Sequence, residues 1–317
     1  MKLLVTGGSG FIGSNFIRMM LGKYPGIAIT NLDKLTYAGN PENLKYISDS
    51  GYSFVPGDIC DPEVVMKAME DVDTVVHFAA ESHVDRSIED SSVFVMTNVV
   101  GTNNLLKCVM DAGVKQFIHV STDEVYGSIN EGSFCETDNL NPSSPYSSSK
   151  AGSDLLAMSY FNTYGLPVTI TRCTNNFGPY QFPEKLIPLF ITNLMDGKQV
   201  PVYGTGLNIR DWIYVEDHCS GIDFVREHGK AGEIYNIGGG NELTNLEITH
   251  RTLKALGKDK SMIRYVEDRK GHDFRYSLDC TKLKKMGWKP AYDFNAALDQ
   301  TIQWYIDNRW WWEPLKS

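Results

Sequence analysis

The chain has 317 residues, 42% of them hydrophobic and 22% charged, which is an ordinary composition for a globular protein with a sizeable core. Its net charge of -9 argues against nonspecific binding to nucleic acid. No apolar run is long enough to span a membrane, and the chain begins with a strand pattern, so we expect a cytoplasmic protein. The six cysteines are scattered without a Cys-x-x-Cys, which indicates reduced thiols and no metal site.

The first predicted elements are typical of a dinucleotide-binding unit. Lys2 to Thr6 is a short apolar run suited to a buried parallel strand, and a helical stretch follows from Ser14 to Leu21. Between them lies Gly7-Gly-Ser-Gly10-Phe-Ile-Gly13. Its glycines allow a tight turn and a close approach to a pyrophosphate, whose charge the helix N-terminus favours.

A second predicted strand, Ala28 to Leu32, ends at Asp33, twenty residues beyond Gly13. A carboxylate at this distance can accept hydrogen bonds from the adenosine ribose and repels the extra phosphate of NADP. The sequence therefore predicts NAD as the cofactor, although the neighbouring Lys34 weakens the preference.

Strand and helix patterns continue to alternate through the first half of the chain. The predicted elements are a helix after Asn43, a strand at Ser53–Pro56, a helix at Pro62–Glu70, a strand at Thr74–Ala79, a long helix at Val93–Ala112 and a strand at Gln116–Val120. We predict an α/β fold with a Rossmann-type doubly wound parallel sheet. Ligands in such sheets gather at the carboxyl ends of the strands, where the glycine turn, Asp33, Asp58, Ala79–Ser82 and Ser121–Glu124 all fall.

The alternation weakens after Thr171, and a loop punctuated by proline and glycine runs from Asn175 to Pro183. Further helices are predicted at Glu184–Met195, Glu216–Glu227 and Thr244–Leu256, with a strand at Ile234–Ile237. We interpret residues 1–172 as an NAD-binding domain, to which later segments return. Residues 173–317 are then a smaller region that binds mainly substrate.

Tyr146 and Lys150 have the spacing Tyr-x-x-x-Lys, which places both on one face of a helix. An ammonium near a phenol favours the phenolate, so the tyrosine can act as a base in alcohol oxidation. The adjacent carboxyls of Asp123 and Glu124 supply a second acid–base pair that simple oxidation does not need. Such pairs of residues are more often surface features, but both follow the strand end at Ser121-Thr122.

These motifs resemble the extended short-chain dehydrogenase/reductases that act on nucleotide sugars, and within them the dTDP-glucose 4,6-dehydratases. The resemblance covers nearly the whole chain. It rests on the glycine turn, the Tyr146/Lys150 pair and the segments Asp33–Gly39, Ala79–Ser87, Thr122–Gly127, Arg172–Tyr180, Pro183–Pro188, Ile209–Trp212 and Asp268–His272. Asp123 is the specific feature, because related epimerases and decarboxylases usually have a small or hydroxyl residue there. Lys270 and Thr174 depart from the expected Pro and Ser.

The resemblance implies a mechanism for forming a nucleotide-4-keto-6-deoxy-glucose. Tyr146, assisted by Lys150 and Thr122, removes the 4-hydroxyl proton while the C4 hydride passes to NAD. Glu124 removes the C5 proton, and protonated Asp123 donates to the departing 6-hydroxyl. The hydride then returns to C6, so NAD is regenerated. Adjacent carboxyls oppose each other's ionisation, which helps keep one protonated.

The resemblance also implies two sets of contact residues. The expected cofactor contacts are Gly7, Gly10, Phe11, Ile12, Gly13, Asp33, Lys34, Thr36, Asp58, Ile59, Phe78, Ala79, Ala80, Ser82, Thr97, Ser121, Tyr146, Lys150, Cys173 and Asn176. The expected substrate contacts are His83, Thr122, Asn175, Lys185, Leu186, Pro201, Tyr203, Arg210, Asn245, Arg269 and His272. Arginine suits a diphosphate, so Arg210 is expected there, although a surface ion pair would also explain it.

Several alternatives stay open at this point. The chain could be another nucleotide-sugar enzyme, an epimerase or decarboxylase that uses the same tyrosine and NAD, or a non-enzymatic NAD sensor. The preferred nucleotide and the downstream deoxysugar pathway are open as well. The long helices resemble the family's dimer-forming pair, so we expect a homodimer, although core packing alone would explain their apolar faces. Trp310, Trp311 and Trp312 are expected to pack the C-terminus.

Overall fold

The structure is a computed structural model that describes residues 1–48 and 50–316. Its strands within these residues are β1 (Lys2–Thr6), β2 (Ala28–Asp33), β3 (Tyr52–Pro56), β4 (Thr74–His77), β5 (Gln116–Thr122), β6 (Val168–Cys173), β7 (Asn175–Phe177), β8 (Val200–Tyr203), β9 (Ile209–Tyr214), β10 (Ile234–Ile237), β11 (Glu242–Thr244) and β12 (Ile263–Val266).

The helices of the described residues are α1 (Phe11–Lys23), α2 (Pro62–Ala68), α3 (Val84–Glu89), α4 (Ser92–Phe94), α5 (Thr102–Asp111), α6 (Pro145–Tyr164), α7 (Leu186–Met195), α8 (Val215–His228), α9 (Asn245–Ala255), α10 (Thr281–Lys285), α11 (Phe294–Asp307) and α12 (Arg309–Trp312). A π-helical segment, Val95–Gly101, joins α4 to α5. Short 3-10 turns occur at Pro41–Leu44, Asp123–Tyr126, Lys260–Met262 and Glu313–Lys316.

The described strands form a main sheet in the order β3-β2-β1-β4-β5-β6-β10, and every neighbouring pair in it is parallel. The strand order reverses at β1, which pairs with β2 on one side and β4 on the other. Such a reversal opens a crevice at the carboxyl ends of the strands. The predicted doubly wound fold is therefore confirmed.

Alternate residues of β1 pack into two different cores, one on each face of the main sheet. Leu3 and Val5 lie with Phe16 of α1, whereas Leu4 lies in a cluster with Leu105 of α5. Helices α1 and α8 cover the first face, and α5 and α6 cover the second. A strand that is buried on both faces explains the continuous apolar run at the start of the sequence.

The second half of the chain supplies a smaller layer at the carboxyl edge of the main sheet. Its sheets have the orders β11-β9-β7 and β12-β8 among the described residues. Trp311 and Trp312 are buried in the core of this layer, while Trp310 is 45% exposed, so two of the three tryptophans pack as expected. Strand β10 returns to the main sheet beside β6. The division at residue 172 stays an interpretation.

One predicted element is different in the structure. The segment after Asn43 was expected to form a helix, but it contains the 3-10 turn Pro41–Leu44 followed by turn and irregular backbone; Asp49 lies outside the described residues. The turn is closed by Asn40, whose side chain accepts a hydrogen bond from Glu42 N. Because β3 begins at Tyr52, little chain is left for a longer helix.

Candidate active site

The glycine turn brings the backbone of β1 close to the strand end of β4. Gly7 has φ of +71°, and a Cβ there would lie 2.6 Å from Ala79 N. A Cβ on Gly13 would overlap the Gly7 carbonyl. The positive φ and both close approaches require glycine, so the turn leaves a cradle at the N-terminus of α1 that side chains would fill.

Asp33 lies at the end of β2, where its carboxylate braces this turn. It accepts hydrogen bonds from Ser9 N at 2.9 Å and from Leu35 N at 2.8 Å. Burial raises the pKa of Asp33, and the two backbone donors oppose the rise. A carboxylate has about four acceptor positions, so capacity remains for the two hydroxyls of a ribose.

Lys34 and Asp58 form an ion pair of 2.7 Å at the mouth of the same crevice. The other Asp58 oxygen accepts a hydrogen bond from Cys60 N at 2.9 Å. Burial alone would raise the pKa of Asp58, but Lys34 and Cys60 hold it below the ordinary value. Lys34 is therefore engaged by Asp58, which limits its ability to recruit the additional phosphate of NADP.

All the sequence-predicted cofactor residues line a single cavity in this crevice. They are Gly7, Gly10, Phe11, Ile12, Gly13, Asp33, Lys34, Thr36, Asp58, Ile59, Phe78, Ala79, Ala80, Ser82, Thr97, Ser121, Tyr146, Lys150, Cys173 and Asn176. The fit to a dinucleotide follows from the side-chain-free cradle and from Gln181 Oε1, a buried acceptor in this cavity without a partner among the described residues.

Tyr146 and Lys150 lie on α6, which begins with the capping box of Ser144 and Ser147. The predicted influence of Lys150 on the phenol of Tyr146 stays a prediction. Lys150 Nζ donates to Val120 O at 2.8 Å, and burial lowers the pKa of this lysine. Burial also raises the pKa of Tyr146 well above its usual range, with Glu124 adding to the rise and the Thr122 hydroxyl opposing it.

Asp123 and Glu124 lie in the 3-10 turn that follows β5, and Thr122 caps this turn by accepting a hydrogen bond from Glu124 N at 3.3 Å. Burial, and next the charge of Glu124, raise the pKa of Asp123 well above its ordinary value. Burial raises the pKa of Glu124 as well, against the nearby cations Arg210 and Lys185. Asp123 therefore favours its protonated form, while the cations near Glu124 favour the ionised form of Glu124.

A second cavity adjoins the first, and the smaller layer supplies much of its lining. It contains His83, Asn175, Lys185, Leu186, Pro201, Tyr203, Arg210, Asn245, Arg269 and His272, while the remaining predicted substrate contact, Thr122, lines the cofactor cavity. Glu124, Asn175 and Lys185 line both cavities. Glu124, the predicted base for the C5 proton, therefore lies where the two cavities meet.

Two cations in the second cavity are suited to an anionic ligand. Arg210 donates to the backbone carbonyls of Ile209, Asp273 and Phe274 and stacks on the ring of Tyr276 at 4.2 Å. Lys185 Nζ donates to Ser82 O at 2.8 Å. Neither cation has a carboxylate within ion-pair distance in the described part of the chain, so their charges remain available.

His83, Arg269 and His272 also line this cavity, and each lies near a local partner. His83 caps α3 and lies 3.6 Å from Glu184, Arg269 lies 3.6 Å from Asp85, and His272 Nδ1 lies 2.6 Å from an Asp268 oxygen. Burial lowers the pKa of both histidines. Cys173 is buried and its thiol pKa is raised by burial, which argues against a nucleophilic role.

Several lining residues were not predicted from the sequence. Glu184 lines both cavities, and its Oε1 is buried with no hydrogen-bond partner among the described residues. Trp212 Nε1 is a buried donor that also has no hydrogen-bond partner among the described residues, and Trp212 lines the second cavity. Glu184 directly precedes Lys185 in a motif that the resemblance includes, so its position was a usable signal. Trp212 likewise ends the Ile209–Trp212 segment of the resemblance, but a tryptophan within a strand usually packs in a core, and Trp212 also does so here.

No group of three potential metal ligands occurs in residues 1–48 and 50–316. Among the helices of these residues, none is long and apolar enough to cross a membrane.

A dinucleotide crevice with a buried tyrosine and lysine at its inner end defines the class of NAD-dependent short-chain dehydrogenase/reductase-type enzymes. A family model described as GDP-mannose 4,6 dehydratase matches residues 4–301, and the chain belongs to this family.

The chain is also similar to individual members. The dTDP-glucose 4,6-dehydratase of Streptomyces niveus is 55% identical over 323 residues, which cover 100% of this chain and 96% of that protein. The structure of dTDP-glucose 4,6-dehydratase from Streptomyces venezuelae, solved with NAD bound, is 56% identical, has a TM-score of 0.98 and covers 99% of this chain and 100% of that one. The UDP-glucose 4-epimerase of Thermus thermophilus, in complex with NAD, has a TM-score of 0.90 at 30% identity, over 97% and 100% of the two chains.

Proposed function

We propose that this chain catalyses the NAD-dependent dehydration of a nucleotide-glucose, with dTDP-glucose as the favoured substrate, to the nucleotide-4-keto-6-deoxy-glucose. The main observation behind the proposal is the adjacent pair of Asp123, which is buried, and Glu124, which is half-buried, beside Tyr146 at the junction of the two cavities. Oxidation at C4 needs a base and a hydride acceptor, whereas loss of water needs a further base and acid. The identity of 55% to dTDP-glucose 4,6-dehydratases over the full chain supports the same reaction.

The cofactor cavity is suited to NAD, held by the glycine turn, Asp33 and Lys150. When bound there, NAD supplies a hydride acceptor for C4 and later a hydride donor for C6. Tyr146 takes the proton of the 4-hydroxyl, and the hydroxyl of Thr122 stabilises the phenolate that forms. The positive charge of Lys150, four residues from Tyr146 on α6, favours the phenolate and opposes the effect of burial, which raises the pKa of the tyrosine.

The elimination step is assigned to the adjacent carboxyl groups. Glu124, in its ionised form, removes the C5 proton that the neighbouring ketone acidifies. Asp123, in its protonated form, donates its proton to the departing 6-hydroxyl, so water leaves across C5 and C6. The assignment of the two roles follows from Lys185, whose charge favours the ionised form of Glu124, and from the charge of Glu124, which raises the pKa of Asp123.

The cations Arg210 and Lys185 are assigned to the anionic part of the nucleotide sugar. Arginine matches phosphate oxygens in a planar, two-point arrangement, and the three carbonyls that orient Arg210 hold its guanidinium without neutralising it. Asn175, Asn245 and Trp212 carry buried polar atoms without partners in the described residues, which suits hydrogen bonds to sugar or base.

A homodimer is part of the proposal. Val93, Met96 and Val100 are spaced along one helical face and are 45%, 51% and 42% exposed. Leu155, on the adjacent helix α6, is 64% exposed. Apolar side chains exposed on two neighbouring helices favour packing against the same face of a second copy.

The test is to incubate the purified protein with dTDP-, UDP-, GDP- and CDP-glucose and to identify products by mass spectrometry and NMR. We expect loss of one water and a 4-keto-6-deoxy sugar, fastest with dTDP-glucose. A C4 epimer with unchanged mass would instead support an epimerase. A decarboxylase would leave every nucleotide-glucose unchanged. It would instead release carbon dioxide from a nucleotide-glucuronic acid, which is added to the panel for this purpose. Binding of NAD without turnover of any of these substrates would support a sensor.

A further inference from the structure

A buried ion pair lies beneath the active site and takes no part in the chemistry described above. Asp154 lies on α6, one turn beyond Lys150, and accepts a hydrogen bond from Arg172 Nε at 2.9 Å. The side chains of Asp154 and Arg172 are 1% and 4% exposed. Neither residue lines the cofactor cavity or the substrate cavity.

The position of Arg172 connects the segments that carry the catalytic groups. It belongs to β6, in register with Ser121, and the next residue, Cys173, is in register with Thr122. Its guanidinium carbon lies 4.6 Å from the centre of the Tyr126 ring. Tyr126 is the last residue of the 3-10 turn that begins at Asp123, so a cation anchored to α6 holds the far end of this turn.

Asp154 is the carboxylate of this network, and Arg172, His119 and Lys150 lie near it. Burial alone would raise the pKa of Asp154, but His119 and Arg172 lower it to about 2, so the carboxylate is ionised. His119 Nε2 lies 3.2 Å from the other Asp154 oxygen, and burial lowers the pKa of this histidine, so it is neutral near pH 7. Lys150 is a further cation nearby, and Asp154 favours its charged form.

A buried ion pair contributes little net stability, because the cost of removing two charges from water offsets their attraction. Stability is therefore a weak reason for this pair to lie under an active site. Its geometry gives a better one. Tyr146 and Lys150 are held by α6, its capping box and the Lys150–Val120 hydrogen bond. The Asp123–Tyr126 turn is a single turn, and Tyr126 is held by Arg172 and by a 3.0 Å hydrogen bond from its hydroxyl to Asn236 Oδ1.

We propose that Arg172 is a positioning residue for the elimination step. Anchored by Asp154, its guanidinium fixes the ring of Tyr126 and thereby the placement of the Asp123 and Glu124 carboxyls relative to the sugar that Tyr146 oxidises. The inference rests on the proposed dehydratase function, since it assigns the two carboxyls to elimination.

The test is the variant Arg172→Lys, which keeps a positive charge beside Asp154 but loses the planar group on Tyr126. The chain offers a matched control, because Arg226 also donates from Nε to a buried aspartate, Asp223, at 2.7 Å, and lies 5.1 Å from a tyrosine ring, that of Tyr24. This second pair lines neither cavity, and Arg226 contacts Met1 and Gln116 at the amino ends of β1 and β5, whereas the catalytic candidates follow the carboxyl end of β5. Arg226→Lys thus makes the same chemical change in a similar setting.

Rapid mixing with dTDP-glucose separates the two steps by following NADH absorbance and product mass. In Arg172→Lys we expect NADH to form within about threefold of the parent rate, and water loss to slow by roughly 10- to 100-fold, since small misplacements of reacting groups have effects of this size. NADH should accumulate, and solvent deuterium should enter C5 more slowly. Arg226→Lys should change neither step.

A second variant, Tyr126→Leu, removes the ring and leaves the ion pair in place, and it should show the same selective loss. The proposal can therefore still be tested with Tyr126→Leu if Arg172→Lys does not fold. Equal slowing of both steps, or no slowing of water loss, in the folded variant would overturn the positioning role. Failure of the unmodified protein to form a 4-keto-6-deoxy product from any nucleotide-glucose would instead reject the proposed function.

Discussion

At the scale of single residues, the two adjacent carboxyls are expected to divide one elimination between them. Glu124→Gln cannot take the C5 proton, and Asp123→Asn cannot donate to the 6-hydroxyl. Both variants should still form enzyme-bound NADH but lose water at least about 100-fold more slowly, as is typical when a placed acid or base is removed. Exchange of the C5 hydrogen with deuterium should fall sharply in Glu124→Gln and survive better in Asp123→Asn. Normal dehydration in both variants would show that the two carboxyls take no part in the mechanism. The control is Glu131→Gln, which makes the same kind of change at an exposed position.

Tyr146 is expected to act before these carboxyls. Tyr146→Phe removes the hydroxyl and leaves the ring in its buried position. Reduction of bound NAD by substrate should fall by ~10²–10⁴-fold, because the base for the 4-hydroxyl is lost, while substrate affinity changes little. Stopped-flow absorbance and equilibrium titration measure the two effects. A variant that keeps most of its oxidation rate would show that another group is the base.

The raised pKa of Asp123 also has a consequence for stability. Below its ordinary pKa of 3.8 the carboxyl is protonated in both the folded and the unfolded chain. As the pH rises from 3.8 towards the higher folded-state pKa, the unfolded chain loses this proton first, so Asp123 reduces the free energy of unfolding by about 1.4 kcal/mol per pH unit. Asp123→Asn should therefore be increasingly more stable than the parent at higher pH. Thermal unfolding between pH 4 and pH 9 measures this, and a constant difference would contradict the shift.

At the scale of the elements, the turn between β1 and α1 depends on backbone that only glycine permits. Gly7→Ala would place a methyl group against Ala79 at a positive φ, so the turn must distort. We expect a purified variant with little bound NAD and a lower unfolding temperature. Gly22→Ala is the matched control: it lies within α1, and its methyl group would meet nothing within 4 Å in the described residues. This control should keep its NAD and gain about 0.5–1 kcal/mol. Full NAD content in Gly7→Ala would contradict the assignment of the turn.

At the scale of the whole molecule, the helical segment Ser92–Asp111 and α6 form the interface of the proposed dimer, and α6 also carries the proposed catalytic tyrosine and lysine. The inner face of α6 carries Tyr146 and Lys150, and its outer side carries the exposed Leu155. Met96→Glu combined with Leu155→Glu should convert a dimer into a monomer, because charges would be buried in the proposed interface. Sedimentation or light scattering across protein concentration measures this. The control is Tyr265→Glu, which introduces a charge at an exposed residue of β12. If the double variant remains a dimer, the interface lies elsewhere.

The sequence by itself determined the dinucleotide crevice and its location. Local spacing was sufficient there, because the glycine turn, Asp33, Asp58 and Ser121–Glu124 all follow parallel strands, whose carboxyl ends meet at one edge. Burial made β1, β2 and β5 recognisable, whereas β3 lies at the edge of the sheet and is largely exposed. The resemblance added the second cavity, which spacing alone does not predict, since its lining comes from loops and short strands far apart in the chain.

Only the tertiary structure decided the electrostatics of the site and the groups behind it. Burial and partners set a pKa, and neither can be seen in a spacing: Lys150 pairs with Val120 O, and the phenol of Tyr146 is buried beside Glu124. The contact between Arg172 and Tyr126 likewise depends on β6 lying beside β5. Residues that are distant in sequence become partners only when the sheet is assembled, so the sequence indicates the chemistry while the fold determines its geometry.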